Sequence, residues 1–171
     1  QLVAHYYEIC AGIGVHKSPQ LYGAFPITPY SHTPMHKGAQ QPGMTGQVKE
    51  DILARMGELG VKMKEGKLVF EPRMLNRSEF LQKETSADFI LADGSLKNMA
   101  LEPNSVAFTV CQVPVIYKIA TSNKIEVYYT NGENENFNST ELNDIISSKI
   151  YKRSGEVNHI KVYMDESSLR S

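Results

Sequence analysis

The spacing of apolar residues changes character once along this chain, at Gly60, and no other feature constrains the fold as much. Beyond that glycine, short runs rich in Val, Ile, Tyr and Phe alternate apolar with polar residues between turn signals. Alternation of period two marks strands with one buried face. The segments VKMKEGKLVFEP, DFILADGSLKNMALEP and KIEVYYTNGENENF each carry a turn pair at their centre, Glu65-Gly66, Asp93-Gly94 and Asn131-Gly132, and so predict hairpins. SVAFTVCQVPVIYKIA is interrupted by Pro114, which has no ladder donor, and is expected to form two strands or one bulged strand. VNHIKVYMD predicts a final strand, whereas STELNDIISSKIY fits either a short helix or a strand. With no clear helical crossover, residues 61–171 are expected to form a small antiparallel β-sandwich or roll.

Before Gly60 the period is helical or absent. Leu2, Tyr6, Ile9 and Ile13 share one face of a helix predicted over 2–13, which Gly12 and Gly14 end. A second helix is expected from about Gly46, with Val48, Ile52, Met56 and Leu59 as its stripe, Glu50 and Asp51 in its first turn and Gly60 as C-cap. Between them, residues 15–46 show no period and carry Pro19, Pro26, Pro29, Pro34 and Pro42. Structureless connections longer than roughly 12–15 residues are uncommon, so this loop is expected to be functional or held against another surface. The chain also opens inside an apolar-periodic segment with neither an initiator Met nor a signal peptide, so it is expected to be a piece of a longer protein. The predicted class is α+β, with residues 1–60 and 61–171 as the two domains.

Composition excludes several functions. Net charge is −1 and the Lys and Arg residues are scattered, which argues against a nucleic-acid partner. No apolar run is long enough to span a bilayer. Glu133, Glu135, Glu141 and Asp144 cluster as a solvated acidic stretch. Cys10 and Cys111 lie in apolar contexts without CxxC spacing; free thiols are expected there, a disulfide between them being the alternative.

Residues 29–50 concentrate polar side chains just ahead of a predicted helix N-terminus. Tyr30, His32, His36, Gln40, Gln41 and Gln47 are candidates for binding a polyhydroxylated ligand: amides match vicinal hydroxyls and an aromatic ring stacks on a sugar face. The competing explanation is that they satisfy the backbone of a long loop that has no ladder of its own. Glu50 is the candidate catalytic carboxylate, with helix-dipole stabilisation as its alternative role and no second carboxylate to oppose it. Met44 stands where a phosphate loop needs its lysine, so nucleotide binding is set aside. His32 and His36 have metal-pair spacing, but Pro34 between them disfavours a helix and no third ligand is evident, so no metal and no cofactor is expected. There is no GxSxG nucleophile turn.

The string GAFPITPYSHTPMHKGAQQPGMTGQVKEDILARMGELG, residues 23–60, resembles the end of the helical domain in large bacterial proteins related to six-hairpin glycosidases and polysaccharide lyases, and LEPNSVAFTVCQVPVIYKIA resembles their C-terminal β-domain. The resemblance implies the last helices of an (α/α) toroid whose cavity handles a saccharide. It also implies a periplasmic or secreted bacterial parent that supplies the rest of the toroid as partner. Isolated, such a chain is expected to be catalytically silent. The alternative is a non-catalytic carbohydrate-binding or structural β-domain; coplanar exposure of aromatics among Tyr117, Tyr128 and Tyr129 would favour binding, and burial would favour scaffold.

Overall fold

The computed structural model describes residues 2–7 and 52–169. The chain divides into two compact units, Gln1–Arg55 and Met56–Ser171. Residues 2–7 are helical, inside the predicted first helix, and residues 52–58 form the end of the second. The polar loop lies outside the described residues, as does Cys10.

The second unit is α+β with strands in the majority, and its turns fall where glycine permits them. Strands β1 (Val61–Lys64) and β2 (Lys67–Phe70) pair across Glu65 and Gly66, both at positive φ. Strands β3 (Thr85–Ile90) and β4 (Leu96–Leu101) form a second hairpin, whose turn is fixed by the Asp93 carboxylate accepting from the Ser95 amide at 2.9 Å. Five further strands make one sheet: β5 (Ser105–Val110), β6 (Val113–Ala120), β7 (Lys124–Tyr129), β8 (Asn134–Phe137) and β9 (Val157–Asp165), in the order β5-β6-β9-β7-β8.

Two expectations need correction. The sheet is mixed, because β6 and β9 run parallel while its other pairs are antiparallel. A parallel pair requires a crossover. The ambiguous stretch provides it as helix α1 (Asp144–Tyr151), capped by Asn143, whose Oδ1 accepts from the Ile146 amide at 2.8 Å. The break in the third segment also falls at Cys111-Gln112 rather than Pro114. Pro114 pairs with Thr109 one residue before the β6–β9 ladder begins at Val115, so its missing donor costs that ladder nothing.

The core lies on one face of the sheet. Val106, Tyr117, Val162, Ile125 and Phe137 form a register row across all five strands, and α1 and the β1–β2 hairpin cover it with Ile146, Ile150, Leu68 and Phe70. Ser147 is buried in this layer with its hydroxyl satisfied twice: it donates to the Asn143 carbonyl at 2.7 Å and accepts from the Leu68 amide at 2.8 Å, tying helix to hairpin. Tyr117 is fully buried and donates its hydroxyl to the Leu59 carbonyl at 2.6 Å. That tyrosine is scaffold.

Gly60 closes the helical residues 52–58 at φ 66, and a Cβ there would lie 2.0 Å from the Glu71 carbonyl oxygen. Gly60→Ala should therefore cost at least about 3 kcal/mol in urea unfolding, against about 1 kcal/mol for Gly66→Ala, whose Cβ meets open space. The β5–β6 turn behaves oppositely, since Cys111 and Gln112 hold positive φ without being glycine. Gln112→Gly should raise stability by about 0.5–1 kcal/mol, and Gln112→Val should lower it.

Candidate functional site

Alternation that sends Ile125, Val127, Ile160 and Val162 into the core sends their neighbours to the opposite face of the sheet. Cross-strand partners there are Lys124 with Tyr163, Glu126 with Lys161, and Tyr128 with His159. None of these six is apolar throughout, and all are half-buried. The β3–β4 hairpin reaches this face through Lys97 of β4, which donates to Asn158 Oδ1 of β9, and Glu102, just beyond β4, pairs with Lys118 of β6.

Glu126 is the centre of the network. Its Oε1 accepts from Lys124 Nζ at 2.7 Å, and its Oε2 accepts from the hydroxyls of Tyr128 at 2.7 Å and Tyr163 at 3.1 Å. Partial burial pushes this carboxyl up, but the three hydrogen bonds and the Lys124 charge outweigh it and hold the group below its usual range. The bond to Glu126, with burial, pushes Tyr128 up to about 12, so its hydroxyl keeps its proton and remains a donor.

The Tyr128 and His159 rings stack 4.3 Å apart and 4° from parallel. Lys161 Nζ lies 5.6 Å from the Tyr128 ring centre. His159 is reached through an irregularity: Tyr128 pairs with His159 but Tyr129 pairs with Val157, leaving Asn158 as an extra residue in β9. That bulge lets consecutive residues join one network, with Asn158 Oδ1 2.9 Å from His159 Nδ1. Because the same oxygen accepts from Lys97, the histidine nitrogen facing it must carry the proton, which leaves Nε2 as an acceptor. Burial, helped by Lys97 and Lys161, pushes His159 down to about 4 and keeps the imidazole neutral. At neutral pH the face is therefore an array of fixed donors and acceptors: a carboxylate, two phenols, a neutral imidazole and lysines. Glu126, Tyr128 and His159 all titrate away from pH 7, which suits binding better than proton transfer.

The three tyrosines singled out from sequence separate cleanly. Tyr117 is core, Tyr128 belongs to the network, and Tyr129 faces the other way, donating to Glu135 at 2.9 Å beside Lys149. A recess of about 340 Å³ around Tyr129 includes Glu133, Glu135 and Glu156. Its carboxylates are occupied by Asn131, Tyr129 and Lys149, respectively. The other expected acidic residues are an exposed Asp144 and Glu141, the latter paired with Lys67 at 3.3 Å.

Tyr30, His32, His36, Gln40, Gln41, Gln47 and Glu50 all lie outside the described residues. Lys97, Lys124, Glu126, His159, Lys161 and Tyr163 were not among the residues singled out from sequence. Their signal was the polar set of alternating positions in KIEVYY and VNHIKVYMD, which acquires meaning only when β9 is placed beside β7. Among the described residues no three His, Cys, Asp or Glu side chains are placed to hold a metal ion, no helix is long and apolar enough to cross a membrane, and Cys111 is a free thiol. No protein-family model matches the chain, and neither does any curated protein.

The unfolded chain protonates His159 near its ordinary value whereas the folded chain resists until about pH 4, so stability should rise as pH increases between those limits. Urea unfolding at pH 4.5 and 7 should show His159→Gln removing about 1–2 kcal/mol of that pH dependence, a figure reduced for solvent contact at a half-buried site.

Proposed function

We propose that this chain is the C-terminal part of a carbohydrate-active protein, and that its β-domain binds saccharide on the outer face of strands β9, β7 and β8. The observation that carries the proposal is the half-buried Tyr128 ring, held by stacking on His159 and standing beside a carboxylate held ionised by three donors. A saccharide needs both parts. Its C–H faces pack on aromatic surface, and its vicinal hydroxyls need acceptors and donors whose positions are set before binding, because ordering flexible side chains would consume affinity. Asn134 and Asn136 extend the face on β8 as exposed amides in register with Tyr128 and Glu126.

In this proposal residues 1–60 are the last two helices and polar loop of an (α/α) toroid, and 61–171 its sandwich- or roll-like β-domain. Tyr30, His32, His36, Gln40, Gln41 and Gln47 line the parent's saccharide cleft, with Glu50 as its carboxylate. The parent is a periplasmic or secreted glycosidase or lyase, and the isolated chain binds without turnover. The supports are the resemblance at residues 23–60 and, in the β-domain, a network whose protonation states favour recognition.

Affinity electrophoresis of the full chain through gels cast with single polysaccharides tests this. At least one polymer should retard the chain, and Tyr128→Ala and Glu126→Ala should each weaken retardation about tenfold or more while circular dichroism stays unchanged. Undiminished retardation in both variants, or release of reducing ends or unsaturated products by the isolated chain, would overturn it.

A further inference from the structure

The lysines of this unit fall into two groups. Among the described residues, half-buried Lys67, Lys118, Lys124 and Lys149 each have a carboxylate partner: Glu141, Glu102, Glu126 and Glu156. Half-buried Lys97 and Lys161 have none within 4 Å. Partial burial pushes the Lys97 ammonium down from its ordinary range, and no carboxylate offsets that cost. Both unpaired lysines converge on one place. Lys97 reaches from β4 to Asn158 Oδ1, which also contacts His159, and Lys161 lies over the Tyr128 ring stacked on that histidine. The bulge at Asn158 brings these groups together, and bulges of this kind commonly re-aim a side chain toward a ligand. The one anion of the network, Glu126, is already engaged by Lys124, Tyr128 and Tyr163.

We infer that the ligand of this face is an acidic saccharide, whose carboxylate or sulfate ester is held between Lys97 and Lys161 beside His159. This rests on the saccharide-binding face proposed above and adds the charge of the ligand. An oxyanion seated there supplies the missing counter-charge to both lysines, while the remaining sugar hydroxyls are left to Glu126, Tyr128 and the asparagines of β8. It also offsets the two positive charges that oppose protonation of His159, so binding is linked to that imidazole. Asn158 of its own strand and Tyr128 of β7 contact the imidazole, and the charges bearing on it are Lys97 from β4 and Lys161 from its own strand.

Calorimetry on the full chain with a polyuronate, the same polymer after reduction of its carboxyls to alcohols, and a sulfated galactan tests the inference. NMR titration of the His159 ring, assigned with His159→Gln, runs alongside. At least one acidic polymer should bind at least about tenfold more tightly than the reduced one, and the polymer preferred identifies carboxylate or sulfate as the anion. The combined K97A and K161A variant should lose that advantage and bind acidic and reduced polymers equally, and bound acidic polymer should raise the His159 pKa by about one unit or more. Equal binding of acidic and reduced polymers, or an advantage that survives the double variant, overturns the anion site and leaves the saccharide face standing. A response of His159 to inorganic sulfate without binding of any polymer keeps the anion site and overturns the saccharide face. Silence in both measurements overturns both.

Discussion

β9 is the last strand in the chain, yet it occupies the middle of the sheet, hydrogen-bonded to β6 on one side and β7 on the other. Until it arrives, β5–β6 and β7–β8 are two separate hairpins, and isolated hairpins are marginal in water because each buries too little apolar surface. The nine residues of β9 supply both missing ladders at once, parallel to β6 and antiparallel to β7. They also place Ile160, Val162 and Met164 in the centre of the core, where each contributes on the order of 1.5–3 kcal/mol of apolar transfer. Helix α1 serves the same closure, since it returns the chain from β8 at the edge and covers the core face through Ile146 and Ile150.

The opposite face inherits its order from that insertion. Strand periodicity ties the side chains of His159, Lys161 and Tyr163 to the core residues between them, so the packing that fixes Ile160 and Val162 also fixes the polar array. Rigid positioning lets Glu126 hold three donors without fresh ordering. The Glu126 side chain is 16% exposed, which leaves its bonds shielded from competing water yet within reach of a ligand. Edge strand β8, short and carrying Asn134, Glu135 and Asn136, presents polar groups where a hydrophobic edge would invite pairing with another chain.

Local structure was legible wherever chemistry within a few residues decided it. Glu65-Gly66, Asp93-Gly94 and Asn131-Gly132 turn where backbone freedom and a side-chain acceptor permit, and Gly60 ends a helix where only glycine fits under the Glu71 carbonyl. The β5–β6 turn was not legible, because Cys111 and Gln112 lack turn chemistry and adopt positive φ under the pull of the strands they join. For STELNDIISSKIY the apolar spacing fits two structures; the Asn143 cap and the contact of Ser147 with Leu68 favour the helix. Of the site, Tyr128 was visible in advance, whereas Lys97, Glu126, His159 and Lys161 were not, being separated by up to sixty-four positions.

What the sequence by itself determined was therefore the class of the chain, the three hairpins that turn at a glycine, and which strand positions are apolar, since propensity and alternation act within a span of a few residues. Only the tertiary structure decided that β9 enters between β6 and β7, that the sheet is mixed, and that two unpaired lysines meet at one histidine. Those outcomes depend on which ladders and which buried surfaces close best over long separations, and a strand's own residues do not record its neighbours.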